Sequence, residues 1–180
     1  MGGSGGGGKG FEPFEDKEIK FRYRNSPLFN AILANDLTEF QKALDSGMNV
    51  NARNRERWTP LYLAIDAQNP IMVRSLLEKG AKIDDKVGSQ TPIMFAVDFL
   101  TLTLNSNTKD ARDIVRILIE GGANLSVIDS AGNTVKKSEG WKVAKQYYDE
   151  FVQTKRQQKE LLRKQGVTDI LDELNTDLRK

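Results

Sequence analysis

The sequence predicts an all-α protein, a solenoid of stacked helix–turn–helix units. Three observations predict it. A helix start recurs, with Pro27, Pro60 and Pro92 opening the apolar runs Leu28-Phe29-Asn30-Ala31, Leu61-Tyr62-Leu63-Ala64 and Ile93-Met94-Phe95-Ala96. The prolines are 33 and 32 residues apart, a period that marks a repeat architecture. A helix stop also recurs: Gly47 and Gly80 each fall 20 residues after a proline, and Gly121-Gly122 closes a third unit.

The first helix of each unit follows from its opening residues. Proline suits the first helical turn, where its missing N–H costs nothing. Ser26, Thr59 and Thr91 precede the prolines and offer hydroxyls as N-caps. Leu61, Ala64 and Ile65 recur at helical spacing as a buried stripe. Small Ala31, Ala64 and Ala96 hold one repeat position, as close helix packing requires. Asn69-Pro70 opens a second helix, Met72, Val73, Leu76 and Leu77 give its apolar face, and Gly80 ends it. No unit can bury its face alone, so the units must stack.

A Thr-Pro-Leu-like start, a Gly-Ala end and this period resemble the ankyrin repeat over roughly residues 24–152. The division that follows is a flexible Gly-rich tail or linker at 1–10, an N-terminal cap segment at 11–24 and a repeat domain at 25–152. Its repeats run about 25–57, 58–89 and 90–132, with a cap at 133–152 and short hairpin loops between units. A C-terminal helical tail occupies 153–180.

Several segments depart from the plain repeat. Residues 11–24 alternate apolar and basic side chains like a strand, and read either as a cover for the open end of the stack or as a Phe-Glu-Pro-Phe docking motif. Pro92 to Gly122 spans 30 residues where Pro60 to Gly80 spans 20, so ten are inserted within Leu100–Lys109. Asp98 to Leu104 either continues the helix or runs extended. Asn105–Thr108 is a loop, with Asn107 or Thr108 as a cap for the next helix. Phe99, Leu100, Leu102 and Leu104 are too apolar for a solvated loop; they pack on the next repeat or form a contact patch. In the fourth unit Asp129–Thr134 keeps the hairpin, with Gly132 where a positive φ is needed, and a capping helix begins near Trp141. Val143, Tyr147 and Phe151 give that helix a docking face. A basic stretch from Lys155 to Lys164 and an acidic one after Thr168 suggest a helical hairpin, or else a partner-binding tail.

Composition excludes much. With 38% hydrophobic and 29% charged residues the chain can build a globular core. No apolar run reaches a membrane span, and a net charge of +2 argues against a nucleic-acid partner. Met1–Gly10 is no signal peptide, so the expected location is the cytoplasm, unless a targeting segment has been replaced by a linker. The chain has no cysteine and no histidine, so the usual nucleophile and base pairs cannot be assembled. No phosphate loop or calcium-loop spacing occurs. The expectation is a non-enzymatic monomer with no cofactor and no metal.

The ankyrin resemblance implies binding of a protein partner through hairpin tips and the concave face of the first helices. On this chain those positions are Arg53, Arg55, Glu56 and Trp58 at one hairpin, Tyr62, Asp66, Phe99 and Leu33 on the helices, and Lys86, Gln90, Ser130 and Asn133 at the next turns, with Leu102 from the insertion. Arg57 stands where the family usually has glycine, which puts that turn in question. Trp58, flanked by arginines, is either an interface anchor or a residue packed along the hairpin. Two functional classes follow: an adaptor that holds a partner, or an inhibitor or immunity protein that blocks an enzyme's active site.

Overall fold

The computed structural model describes residues 26–102 and 109–166, with side chains for all but Thr101 and Leu102. The strand-like N-terminal segment, the loop and caps expected at 105–108 and the acidic stretch after Thr168 lie outside the described residues. Seven α-helices are described: α1 Pro27–Leu33, α2 Leu37–Asp45, α3 Pro60–Asp66, α4 Pro70–Glu78, α5 Pro92–Leu102, α6 Lys109–Glu120 and α7 Gly140–Lys164. A short 3-10 turn, Val135–Lys137, precedes α7.

Helices pair as α1/α2, α3/α4 and α5/α6, and α1, α3 and α5 stack in one row. In a second row α4 packs on α6, and α7 covers both α5 and α6. This is the all-α stack expected from the repeat. Its core runs without a break from Leu28 and Ile32 through Ile65 and Leu76 to Ile93 and Leu118, each at most 1% exposed. The recurring alanines do what their size allows: Ala31 and Ala96 are buried, and Ala64 is wholly inaccessible.

The caps vary more than their sequence suggests. Thr59 accepts the Tyr62 amide at 3.4 Å, and Asn69 accepts the Met72 amide at 3.0 Å. Ser26 makes no such bond. Thr91 is fully buried, and its hydroxyl has no partner among the described residues. Asp36 caps α2 by accepting the amides of Thr38 and Glu39. Between paired helices the chain turns through left-handed Asn35 and Gln68, at φ 52° and 51°. Asn69 ties successive units by donating its Nδ2 to Asn35 Oδ1 at 2.6 Å.

The hairpins explain the uneven period. In one hairpin the Asn54 amide donates to the Trp58 carbonyl at 3.0 Å, and the Trp58 amide donates to Asn54 Oδ1 at 2.7 Å. Asp129 and Asn133 repeat the arrangement at 2.8 Å. The middle hairpin closes one residue sooner, from Val87 to Gln90, which accounts for the 32-residue spacing. Arg57 takes φ 66° where Gly132 takes φ 74°. The turn therefore keeps its form, with an arginine in a conformation that disfavours side chains.

The insertion resolves in part. Helix α5 continues to Leu102, rather than running extended from Asp98. Leu100 is 3% exposed and belongs to the core, and Phe99 is half-buried. At the other end the basic stretch is no separate helix: α7 is one 25-residue helix, and Lys155 to Lys164 form its last turns. Gly166, at φ 72°, follows its C-cap. Trp141 and Ala144 of α7 are buried, and Val143, Tyr147 and Phe151 pack partly buried against the core.

Candidate functional site

The row of first helices carries an aromatic file. Trp58 leads into α3 at the hairpin base, and its ring centroid lies 5.6 Å from that of Phe95, edge to face. Phe95 meets Phe99 one helical turn on, at 5.2 Å. Trp58, Phe95 and Phe99 are all half-buried. Edge-to-face packing holds such rings rigidly. Trp58 is thus packed along the hairpin and partly accessible.

Tyr62 lies under this file, not on it. It is 2% exposed, and its ring packs against Phe95 at 5.4 Å. Its hydroxyl donates to the Gln90 carbonyl and accepts the Val87 amide at 3.3 Å. Burial pushes the phenol up to about 12. As a candidate contact Tyr62 is corrected by its burial; it braces one repeat against the hairpin of the next.

The hairpin arginines differ among themselves. Arg53 is engaged within the fold, donating to the Arg57 carbonyl at 2.8 Å, to Asp85 Oδ1 at 2.6 Å and to the Lys86 carbonyl at 3.0 Å. It ties two neighbouring hairpins. Arg55 and Glu56 are exposed at the tip. Lys86 reaches the Ile128 carbonyl at 3.0 Å, and Ser130 meets Ser89 at 3.4 Å. Leu33 is half-buried on α1. Leu102 belongs to α5, and its side chain lies outside the described residues.

Farther along, a cleft of about 320 Å³ opens beside α5. Gln90, Met94, Asp98, Asp129, Asn133 and Lys137 are among its lining residues. Gln90 Nε2 donates to Asp98 Oδ2 at 2.7 Å, and Ser138 Oγ donates to Oδ1 at 3.3 Å. Burial nevertheless holds the Asp98 carboxyl above its ordinary range; these two bonds lower it and the nearby charge of Asp129 raises it. Asn133 accepts from Lys137 Nζ at 3.3 Å. Asp66 is exposed at the end of α3, yet desolvation by the protein around it raises its carboxyl too.

The geometry thus gathers Trp58 and Phe99 on one file and Gln90 with Asn133 at one cleft. Arg55 and Glu56 stand apart at their tip. Phe95 and Asp98 were passed over in the sequence. The signal was present: Phe95 lies four positions before Phe99, and Asp98 holds the repeat position of Asp66, six after the proline. Among the described residues no His, Cys, Asp or Glu groups could hold a metal, and no helix is long and apolar enough to cross a membrane.

Comparison with known proteins agrees with this architecture. Residues 28–129 match the profile of ankyrin repeats in three copies. The chain is 34% identical over 88 residues to ankyrin repeat, SAM and basic leucine zipper domain-containing protein 1 of Chlorocebus aethiops, a match covering 49% of this chain and 17% of that protein. The protein of that name from Equus caballus is 34% identical over 84 residues, covering 47% of this chain and 16% of its own. The one from Pongo abelii is 33% identical over 88 residues, with 49% and 17% covered. The chain spans about one sixth of the length of the curated relatives it matches. The stacked helix pairs and the profile across more than half of its residues show that the chain belongs to the ankyrin repeat family, non-catalytic scaffolds whose general role is protein–protein interaction.

Proposed function

We propose that this chain holds a protein partner along the open side of its first helices, with Trp58, Phe95 and Phe99 as the apolar centre of the interface. The aromatic file carries this reading. Rigid, half-buried aromatic rings on a stacked platform lose little entropy on binding, and Trp and Tyr dominate measured hot spots. Gln90 and Asp66 flank that centre, and Arg55 and Glu56 at their tip, with Ser130 and Asn133 at the later hairpin, offer polar contacts beyond it. The file is complete within one copy, so a monomer is the binding unit.

Paired capture experiments test the proposal. Wild-type chain and the Trp58→Ala variant serve as baits in lysate from the native source. The expected result is a stoichiometric partner held by the wild type and weakened by about 2 kcal/mol or more with Trp58→Ala. Full retention by folded Trp58→Ala rejects this surface. Loss seen only when residues 103–108 are replaced by a short Gly-Asn turn moves the site to the insertion. A partner enzyme whose activity falls on binding would make the chain an inhibitor rather than an adaptor.

A further inference from the structure

Asp66 and Asp98 each stand six positions after the proline that opens their helix. Helices α3 and α5 pack directly, so equivalent positions face the same way, about 8–10 Å apart. Asp98 also shares a helical face with Phe95, three residues before it. The aromatic file and the two carboxylates therefore border one surface.

Neither carboxylate has a cationic partner among the described residues. Asp98 takes bonds only from the neutral donors Gln90 and Ser138. Asp66 makes no described hydrogen bond or ion pair. The nearby cations are committed elsewhere, Arg53 to Asp85, Lys86 to the Ile128 carbonyl and Lys137 to Asn133. The cleft at Asp98 contains a second acid, Asp129, against the single base Lys137. Its volume of about 320 Å³ is at the small end for ligand pockets and suits one long side chain.

We infer that this surface selects a partner segment bearing arginine or lysine beside apolar residues. The inference rests on the groove reading above and names the partner's chemistry. The apolar stems of such side chains lie on Trp58, Phe95 and Phe99, and their charged heads meet Asp66 and Asp98. A cation over an aromatic face gains further attraction. An acidic segment would instead bring like charges together on this surface, which disfavours it.

A displayed library of random twelve-residue peptides, selected on the intact chain, tests this. The expected binders carry Arg or Lys next to apolar residues. A double variant, Asp66→Asn with Asp98→Asn, should bind them about tenfold or more weakly, and added salt should weaken the wild type more than that variant. Trp58→Ala should weaken the same peptides. Thermal melts confirm that every variant is folded. Binders with no basic preference that need Trp58 but ignore both aspartates overturn the charge inference and leave the groove standing. Binders indifferent to Trp58→Ala as well overturn both. A library that yields no binder also overturns the inference.

Discussion

Tyr62 follows Thr59-Pro60-Leu61, and its hydroxyl joins one repeat to the hairpin of the next through Gln90 and Val87. Tyr62→Phe keeps the ring contacts with Trp58 and Phe95 and removes both bonds of the hydroxyl, while the Val87 amide still donates to the Gln90 carbonyl at 3.0 Å. The expected loss is about 0.5–1.5 kcal/mol in denaturant melts, with faster amide exchange at Val87. A loss near zero would mean that water replaces the hydroxyl. Asp98 makes an opposite prediction. Its folded-state pKa lies above the ordinary value because burial penalises the charge. The native state then holds the proton more tightly than the unfolded chain. That contribution to stability is fully present below the unfolded pKa and is lost as pH rises through the folded one. Asp98→Asn can accept from Gln90 through its oxygen and donate its Nδ2 to the Ser138 hydroxyl, without the charge. It should melt higher than the wild type at pH 7, with the advantage shrinking as pH falls below about 4. An equal advantage at both pH values would show that the charge is not the cause.

Helix α4 illustrates how an element is held. Asn69 caps it, Pro70 opens it, and Met72, Val73 and Leu76 are each 0% exposed. Leu76→Ala should cost about 2–5 kcal/mol, because the surrounding helices close only partly over the lost volume. A measured loss well under 1 kcal/mol would contradict the buried face of α4. Helix α5 differs from α3 in length, at 11 residues against 7. The extra turn is what brings Phe99 beyond Phe95 and lengthens the aromatic file. Insertion and proposed binding surface are therefore linked through one helix.

In the whole molecule, repeats at the ends of a stack need covers, and α7 covers the C-terminal end. Trp141 and Ala144 are buried at its start, whereas the residues from Gln153 to Lys164 are exposed or half-buried. Truncation after Val152 should leave cooperative unfolding intact. Truncation after Ser138 removes Trp141 and Ala144 and uncovers α5 and α6, and should abolish a sharp transition or lower its midpoint strongly. Calorimetry on the two truncations distinguishes them; loss of cooperativity in the shorter deletion would place the tail within the core.

The period, the caps at Thr59 and Asn69, and the glycine stops at Gly80 and Gly122 were legible along the chain, because helix starts and ends depend on residues close in sequence. So were the stacked all-α architecture and the buried stripes, since a 3.6-residue pattern needs no partner to be recognised. The placement of Trp58 and Phe99 on one face was half legible, each being visible alone. Tyr62 is 2% exposed rather than on the surface, because its ring packs on Phe95 of the next repeat and its hydroxyl engages Gln90 and Val87 of the following hairpin. The engagement of Arg53 with Asp85, 32 positions away, and the shift at Asp98 came equally from distant neighbours. Local sequence governs where helices begin and end, but the side of a helix that meets solvent, and the charges it meets there, depend on which repeats pack against it.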